Sequence, residues 1–132
     1  MNKVDLGYNL HKKGYNCAQS VALAFADDLN IEKETLFKIS EGLGLGMGNM
    51  QNACGALTGA ILIGSLKTSS GNLKNPDSKA KSYTVSKEIY DRFLKKIGAI
   101  NCKDIKCIET GNPICSCDDC IKYGIEIIEE IF

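Results

Sequence analysis

An all-α fold is predicted by three features of the sequence. Apolar residues recur at helical spacing in most segments, and several segments open with a helix-capping asparagine or serine. No run alternates apolar and polar residues between turn signals, as a half-buried strand would. The 132 residues suffice for one hydrophobic core. We therefore expect a single domain over residues 1–132, built from five or six helices.

The first half of the chain contains three predicted helices and a glycine-rich loop. Val4 and Tyr8 lie on one face of a first helix that ends near residue 14. The segment NCAQSVALAFADDL forms the second helix, with Asn16 as N-cap and Gln19 three residues later, close to a capping box. IEKETLFKISEGLG forms the third. A glycine-rich loop over residues 42–49 then precedes the central helix.

The second half contains the central helix and two amphipathic helices. ACGALTGAILIGSL is rich in small and apolar residues and ends at the polar stretch KTSSGN. A long amphipathic helix begins near Pro76 and places Ile89 and Phe93 on its apolar side. The last helix, SCDDCIKYGIEIIEEIF, has Ser116 as its cap and Asp119 at the capping-box position.

Charge and hydropathy exclude two classes of protein. Sixteen basic and sixteen acidic residues cancel, and the lysines are scattered, so the chain lacks the basic patch of a nucleic-acid-binding protein. The longest apolar run, residues 53–66, is shorter than the about twenty residues that a membrane span requires. The N-terminal segment lacks the features of a signal peptide. We expect a cytoplasmic protein that binds no nucleic acid and inserts into no membrane.

Seven cysteines are the chemically informative residues. An odd count in a reducing compartment argues against structural disulfides and favours redox chemistry or metal binding. The single histidine, His11, is not part of a C-x-x-C-H haem motif, so no haem is expected. A zinc site would need mainly sulfur ligands. The seven are Cys17, Cys54, Cys102, Cys107, Cys115, Cys117 and Cys120.

Four of these cysteines fall at predicted helix starts, where unpaired N–H groups and the helix dipole stabilise a thiolate. Three of the four follow an asparagine within two positions. The alternative is that each is simply a small buried apolar residue. Because Cys54 combines an Asn52 cap with glycine-rich backbone, we expect it to be the most activated of the seven. The four are Cys17, Cys54, Cys102 and Cys120.

Small residues after Cys54 predict a close contact between helices. Gly55 and Gly59 are four residues apart and therefore share one helix face. Another helix can approach that face closely. One interpretation is that the approach brings a second thiol to Cys54; the other is a homodimer interface.

The C-terminal cysteines form a second candidate site. The pattern C-x-C-x-x-C at residues 115–120 can hold zinc or an iron–sulfur centre, and Cys107 lies upstream as a further ligand. Cys117 and Cys120 alone form a C-x-x-C at a helix start, which is also typical of a redox dithiol. Both interpretations remain open from the spacing.

Four segments in order carry a resemblance to a known family: GYNCAQSV, CGALTGA, GAINCKDI and a cysteine that opens the C-terminal helix. In these segments the chain resembles the C_GCAxxG_C_C family of redox-active proteins. The resemblance implies a helical fold with redox activity. It also extends to the iron–sulfur-binding part of split-Soret cytochromes. The family's signature cysteines correspond to Cys17, Cys54, Cys102 and Cys120, and Cys107, Cys115 and Cys117 are additional.

Three functions follow from these observations. The first is a thiol redox or electron-transfer protein that uses the four signature cysteines in one partly buried site, with an unidentified redox partner. The second is a metal-binding module in which the same four thiolates hold an iron–sulfur cluster or, as the weaker candidate, zinc. The third is a structural domain that dimerises through Gly55 and Gly59. The three additional cysteines are a candidate second metal site.

Overall fold

The computed structural model describes residues 2–107 and 110–132 and confirms the all-α class. The described residues form seven α-helices and no strand, so the expected count of five or six is wrong. The difference is the five-residue helix α6, which is too short to show a periodic pattern. The helices are α1 (Lys3–Lys12), α2 (Cys17–Ala24), α3 (Lys33–Glu41), α4 (Gly55–Thr68), α5 (Lys79–Ile97), α6 (Cys102–Lys106) and α7 (Cys117–Ile131).

Helix α4 lies at the centre of the fold and packs against α2, α5 and α7. Its own core residues are mostly small, so three helices can surround it at short distances; Ala56 and Ala60 are fully buried. The larger apolar side chains come from the helices around it, among them Phe93 of α5 and Ile125 of α7, both 0% exposed. No helix in the described ranges is both long enough and apolar enough to cross a bilayer.

The small-residue face of α4 is occupied by α2 of the same chain. A Cβ atom added at Gly59 would lie 2.7 Å from the carbonyl oxygen of Ala18, and one added at Gly55 would lie 3.2 Å from the Cβ of Cys17. Both glycines are buried. The alternative of a homodimer interface at Gly55 and Gly59 does not fit, because α2 of the same chain already covers this face. The other interpretation, close approach to a thiol-bearing helix, is confirmed.

The glycine-rich segment differs from an open loop because it is wound into a tight turn, but its backbone is kinked and not regularly helical. Left-handed backbone occurs at Leu45 (φ 54°) and Met47 (φ 62°), and Gly48 also has a positive φ of 84°. Gly46 itself has a φ of 58°, and a Cβ there would lie 2.7 Å from the Cβ of Cys102. The segment thus turns tightly over one of the cysteines.

Two of the predicted helix caps are confirmed, and a third is wrong. The side chain of Asn16 accepts a hydrogen bond from the backbone N–H of Gln19 at 2.9 Å, and the Gln19 side chain accepts one from the Asn16 N–H at 3.0 Å. The Ser116 hydroxyl accepts one from the N–H of Asp119 at 3.0 Å. Asn52 is not a cap, because the chain stays extended until Cys54, which is itself the N-cap residue of α4.

Replacing Asn16 by alanine is expected to lower the free energy of unfolding by about 1–2 kcal/mol, because the capping box is lost. The matched control is Asn101→Ala. Asn101 is also an N-cap residue, but its side chain makes no capping hydrogen bond, so a loss of less than about 0.5 kcal/mol is expected. Urea unfolding followed by circular dichroism measures both. Equal losses of unfolding free energy in the two variants would show that the capping box does not stabilise α2.

Candidate functional site

Six of the seven cysteines line one cavity of about 170 Å³. We call it the cysteine cavity. All four signature cysteines contribute to it, although they are far apart in sequence. Cys107 does not line it, and its thiol instead donates to the carbonyl oxygen of Asp104 at 3.1 Å. The six are Cys17, Cys54, Cys102, Cys115, Cys117 and Cys120.

A backbone bridge holds two of the cysteines side by side. Ala53 and Asn101 form an isolated antiparallel bridge. The N–H of Cys54 donates to the carbonyl of Ile100 at 2.8 Å, and the N–H of Cys102 donates to the carbonyl of Asn52 at 2.9 Å. Because a cysteine N–H is the donor of each hydrogen bond, the bridge fixes the backbone of both cysteines at the start of their helices.

The other cysteines reach the cavity through helix packing. Cys17 is the first residue of α2, and the contact of α2 with the glycine face of α4 carries it to the Cys54 end of α4. Cys117 and Cys120 lie in the first turn of α7, which packs against α2 and α4. The N-terminal ends of α2, α4, α6 and α7 therefore all face the cysteine cavity.

Burial divides the six thiols into an inner and an outer group. Cys54, Cys102 and Cys120 are buried, with 6%, 4% and 2% of their surface exposed. Cys17, Cys115 and Cys117 are half-buried. Chemistry that starts from solvent therefore meets the outer group first.

The outer group contains a strongly polarised thiol pair. Hydrogen bonding between the side chains of Cys17 and Cys117 raises the pKa of Cys17 and lowers the pKa of Cys117 to about 6. The positive charges of Lys106 and His11 lower the Cys117 pKa further, while burial opposes them. Within the pair, Cys117 is therefore the thiol that ionises first, and Cys17, whose pKa is raised, keeps its proton.

A second pair lies deeper. Hydrogen bonding between Cys54 and Cys120 lowers the pKa of Cys54 and raises that of Cys120. The backbone N–H groups of Ala56 and Leu57 also lower the Cys54 pKa, against the effect of burial. The predicted direction for Cys54 is therefore confirmed, and its helix start contributes as expected. The prediction that Cys54 is the most activated cysteine is wrong, because Cys117 has the pKa of about 6.

Two basic residues complete the cavity. His11 lines it, and the Nδ1 atom of its ring lies 2.9 Å from a carboxylate oxygen of Asp118. Lys106 lines it from the end of α6, and its positive charge lowers the pKa of Cys117. As the only histidine, His11 was identifiable in the sequence as a candidate imidazole. Nothing in the sequence distinguishes Lys106 from the other lysines.

The donor chemistry suits a metal, but the arrangement does not. Thiolate sulfur is the typical ligand of iron–sulfur clusters and of structural zinc. Within residues 2–107 and 110–132, however, no group of three or more Cys, His, Asp or Glu side chains is placed so that it could hold a metal ion. The four signature cysteines and the additional Cys115 and Cys117 therefore do not form a metal-ion site as they are arranged.

The fold and the cavity define a class of protein: an all-α domain that gathers cysteines at the N-terminal ends of its helices. The family model described as "Putative redox-active protein (C_GCAxxG_C_C)" matches residues 15–131. The chain belongs to this family, which confirms the resemblance noted in the sequence. No curated protein and no solved structure matches it.

Proposed function

We propose that the protein is a cysteine-based redox protein that cycles between thiols and a disulfide in the cysteine cavity. The observation that carries the proposal is the gathering of six thiols, from four separate segments of the chain, around one volume. Packing alone does not require this arrangement, since aliphatic side chains could fill the same space and cysteine is usually retained for its reactivity. Redox chemistry between neighbouring thiols makes use of it.

The paired thiols support thiol–disulfide exchange in particular. Exchange requires a thiolate to attack and a second thiol near it to resolve the mixed disulfide. The Cys17–Cys117 and Cys54–Cys120 pairs each combine a thiol of lowered pKa with one of raised pKa. Two pairs in one cavity also provide a route by which a disulfide formed at the outer pair can pass to the inner one.

The experiment is a redox titration of the purified protein, prepared under anaerobic conditions. The protein is equilibrated in mixtures of reduced and oxidised dithiothreitol, quenched with acid, alkylated and analysed by intact mass. We expect a reversible transition in which two thiols of the protein lose their hydrogen atoms and form one disulfide. Cys107→Ser is the control and should titrate as the wild type does, since Cys107 lies outside the cavity.

Two results would contradict the proposal. One is a protein whose thiols stay reduced across the whole titration. The other is a metal-loaded protein whose absorption spectrum shows an iron–sulfur cluster and whose thiols become titratable only after the metal is removed. Metal analysis of the same preparation separates these two results.

A further inference from the structure

We infer that Cys117, a cysteine outside the family's four-cysteine signature, is the residue at which an external disulfide enters the cavity, and that Cys17 resolves it. The inference deepens the proposed function and depends on it. It assigns the entry step to one thiol of the six, and it names the substrate class as a small anionic disulfide.

Accessibility selects the outer thiols. An incoming disulfide must reach the attacking sulfur in line with its S–S bond, which the buried Cys54, Cys102 and Cys120 do not allow. Of the outer three, Cys17 and Cys117 are the first residues of α2 and α7, two helices that pack against each other, and both line the cavity. An attacking sulfur and a resolving sulfur are therefore placed at the accessible end of the same cavity, and their interaction lowers the pKa of Cys117.

The charges around Cys117 select an anionic disulfide. Lys106 and His11 line the cavity beside it, and among residues 2–107 and 110–132 no carboxylate lines it. Asp118 lies outside the cavity lining and faces His11, with its side chain 56% exposed. The cavity, with a volume of about 170 Å³, leaves room for a small group beside the outer thiols.

The step is a two-electron exchange in which atoms and charges balance. The Cys117 thiolate attacks one sulfur of the substrate disulfide, so that a mixed disulfide forms at Cys117 and one substrate thiolate leaves. Cys17 then loses its proton to that thiolate and attacks the Sγ of Cys117. The Cys17–Cys117 disulfide forms, and the second substrate thiolate leaves and takes a proton from solvent. The protein dithiol is oxidised and the substrate disulfide is reduced to two thiols.

The experiment traps the mixed disulfide with oxidised glutathione, an anionic disulfide. In Cys17→Ser the attacking thiol is intact and its resolving partner is absent. We expect a glutathione adduct to accumulate in this variant and to map to Cys117 itself when its peptide is fragmented, since the segment between Lys106 and Lys122 also contains Cys107, Cys115 and Cys120. In Cys117→Ser the adduct should be absent, and oxidation of the protein thiols by oxidised glutathione should slow at least tenfold. Circular dichroism confirms that each variant is folded, and Cys107→Ser is the control.

The outcomes separate the inference from the proposed function. If the wild type cycles reversibly in dithiothreitol but the adduct in Cys17→Ser maps to another cysteine, the inference is wrong and the proposed function stands. If the wild type does not cycle in dithiothreitol, the proposed function itself fails.

The charge of the substrate is tested with cystamine, a cationic disulfide. When each rate is divided by the rate of the same disulfide with free cysteine, cystamine should react more slowly with the protein than oxidised glutathione does. An equal or faster relative rate would overturn the assigned substrate class.

Discussion

At pH 7, iodoacetamide is expected to modify Cys117 of the reduced protein faster than any other cysteine in the chain. With a pKa of about 6, about nine-tenths of Cys117 is thiolate at that pH, against about 3% for a free cysteine with a pKa near 8.5. The rate of modification should rise as the pH increases through 6 and become constant above 7. An ordinary thiol would continue to gain reactivity up to pH 8 and beyond.

Cys17→Ala tests the cause of this reactivity. Side-chain hydrogen bonding to Cys17 makes the largest contribution to the lowered pKa of Cys117. Without it, the midpoint of the pH profile should move up toward the value of a free thiol, and labelling at pH 6 should fall severalfold. Cys107→Ala leaves the cavity unchanged and should keep the midpoint near 6. Quenched labelling with peptide mass spectrometry gives the rate for each cysteine.

A native-state midpoint near 8.5 for Cys117 would contradict the polarised pair. So would a midpoint near 6 that Cys17→Ala leaves unchanged, because the activation would then come from Lys106 and His11 alone. Lys106→Met distinguishes these contributions. It removes one positive charge at similar length and should also raise the midpoint, because the charge of Lys106 and its side-chain hydrogen bonding both lower the Cys117 pKa.

Local signals in the sequence predicted much of the fold. The capping box at Asn16 and the cap at Ser116 depend on residues three apart, so their pattern is visible in one short segment. The glycine spacing at Gly55 and Gly59 correctly indicated a close approach between helices, because the small face needs a partner whatever that partner is. The family signature selected four cysteines that all line the cavity.

The remaining features depend on contacts between distant segments. Asn52 resembles a cap by position, but the bridge of residues 52–54 to residues 100–102 keeps this backbone extended, so α4 begins later. Cys117 joins the signature cysteines because α7 packs against α2, and no local pattern specifies that packing. The importance of Lys106 arises in the same way. Lys106 is one of many lysines in the sequence, and only the position of α6 in the fold brings it close to Cys117.

The contact between α2 and α4 should be the most sensitive point of the scaffold. Gly59→Val is expected to lower the free energy of unfolding by about 3 kcal/mol, because added carbon atoms would overlap the backbone of the neighbouring helix. A Cβ at this position already lies 2.7 Å from the carbonyl oxygen of Ala18 and 3.0 Å from its Cα. Backbone atoms cannot rotate away as a side chain can, so α2 itself must shift.

The matched control is Gly42→Val at the C-terminal end of α3. Gly42 has an ordinary φ of −71°, and a Cβ there meets no atom within 4 Å. Its unfolding free energy should stay within about 0.5 kcal/mol of the wild type. Helix propensity alone favours valine over glycine, so a loss in Gly59→Val measures the steric overlap and not the intrinsic preference. Urea unfolding of the reduced proteins gives both values.

Because a displaced α2 carries Cys17 away from the cavity, Gly59→Val should also raise the pH midpoint of Cys117 labelling in the fraction that remains folded. If Gly59→Val is as stable as Gly42→Val and its labelling midpoint is unchanged, then α2 and α4 are not packed closely enough to align the thiols, and the cavity must be held together by other contacts.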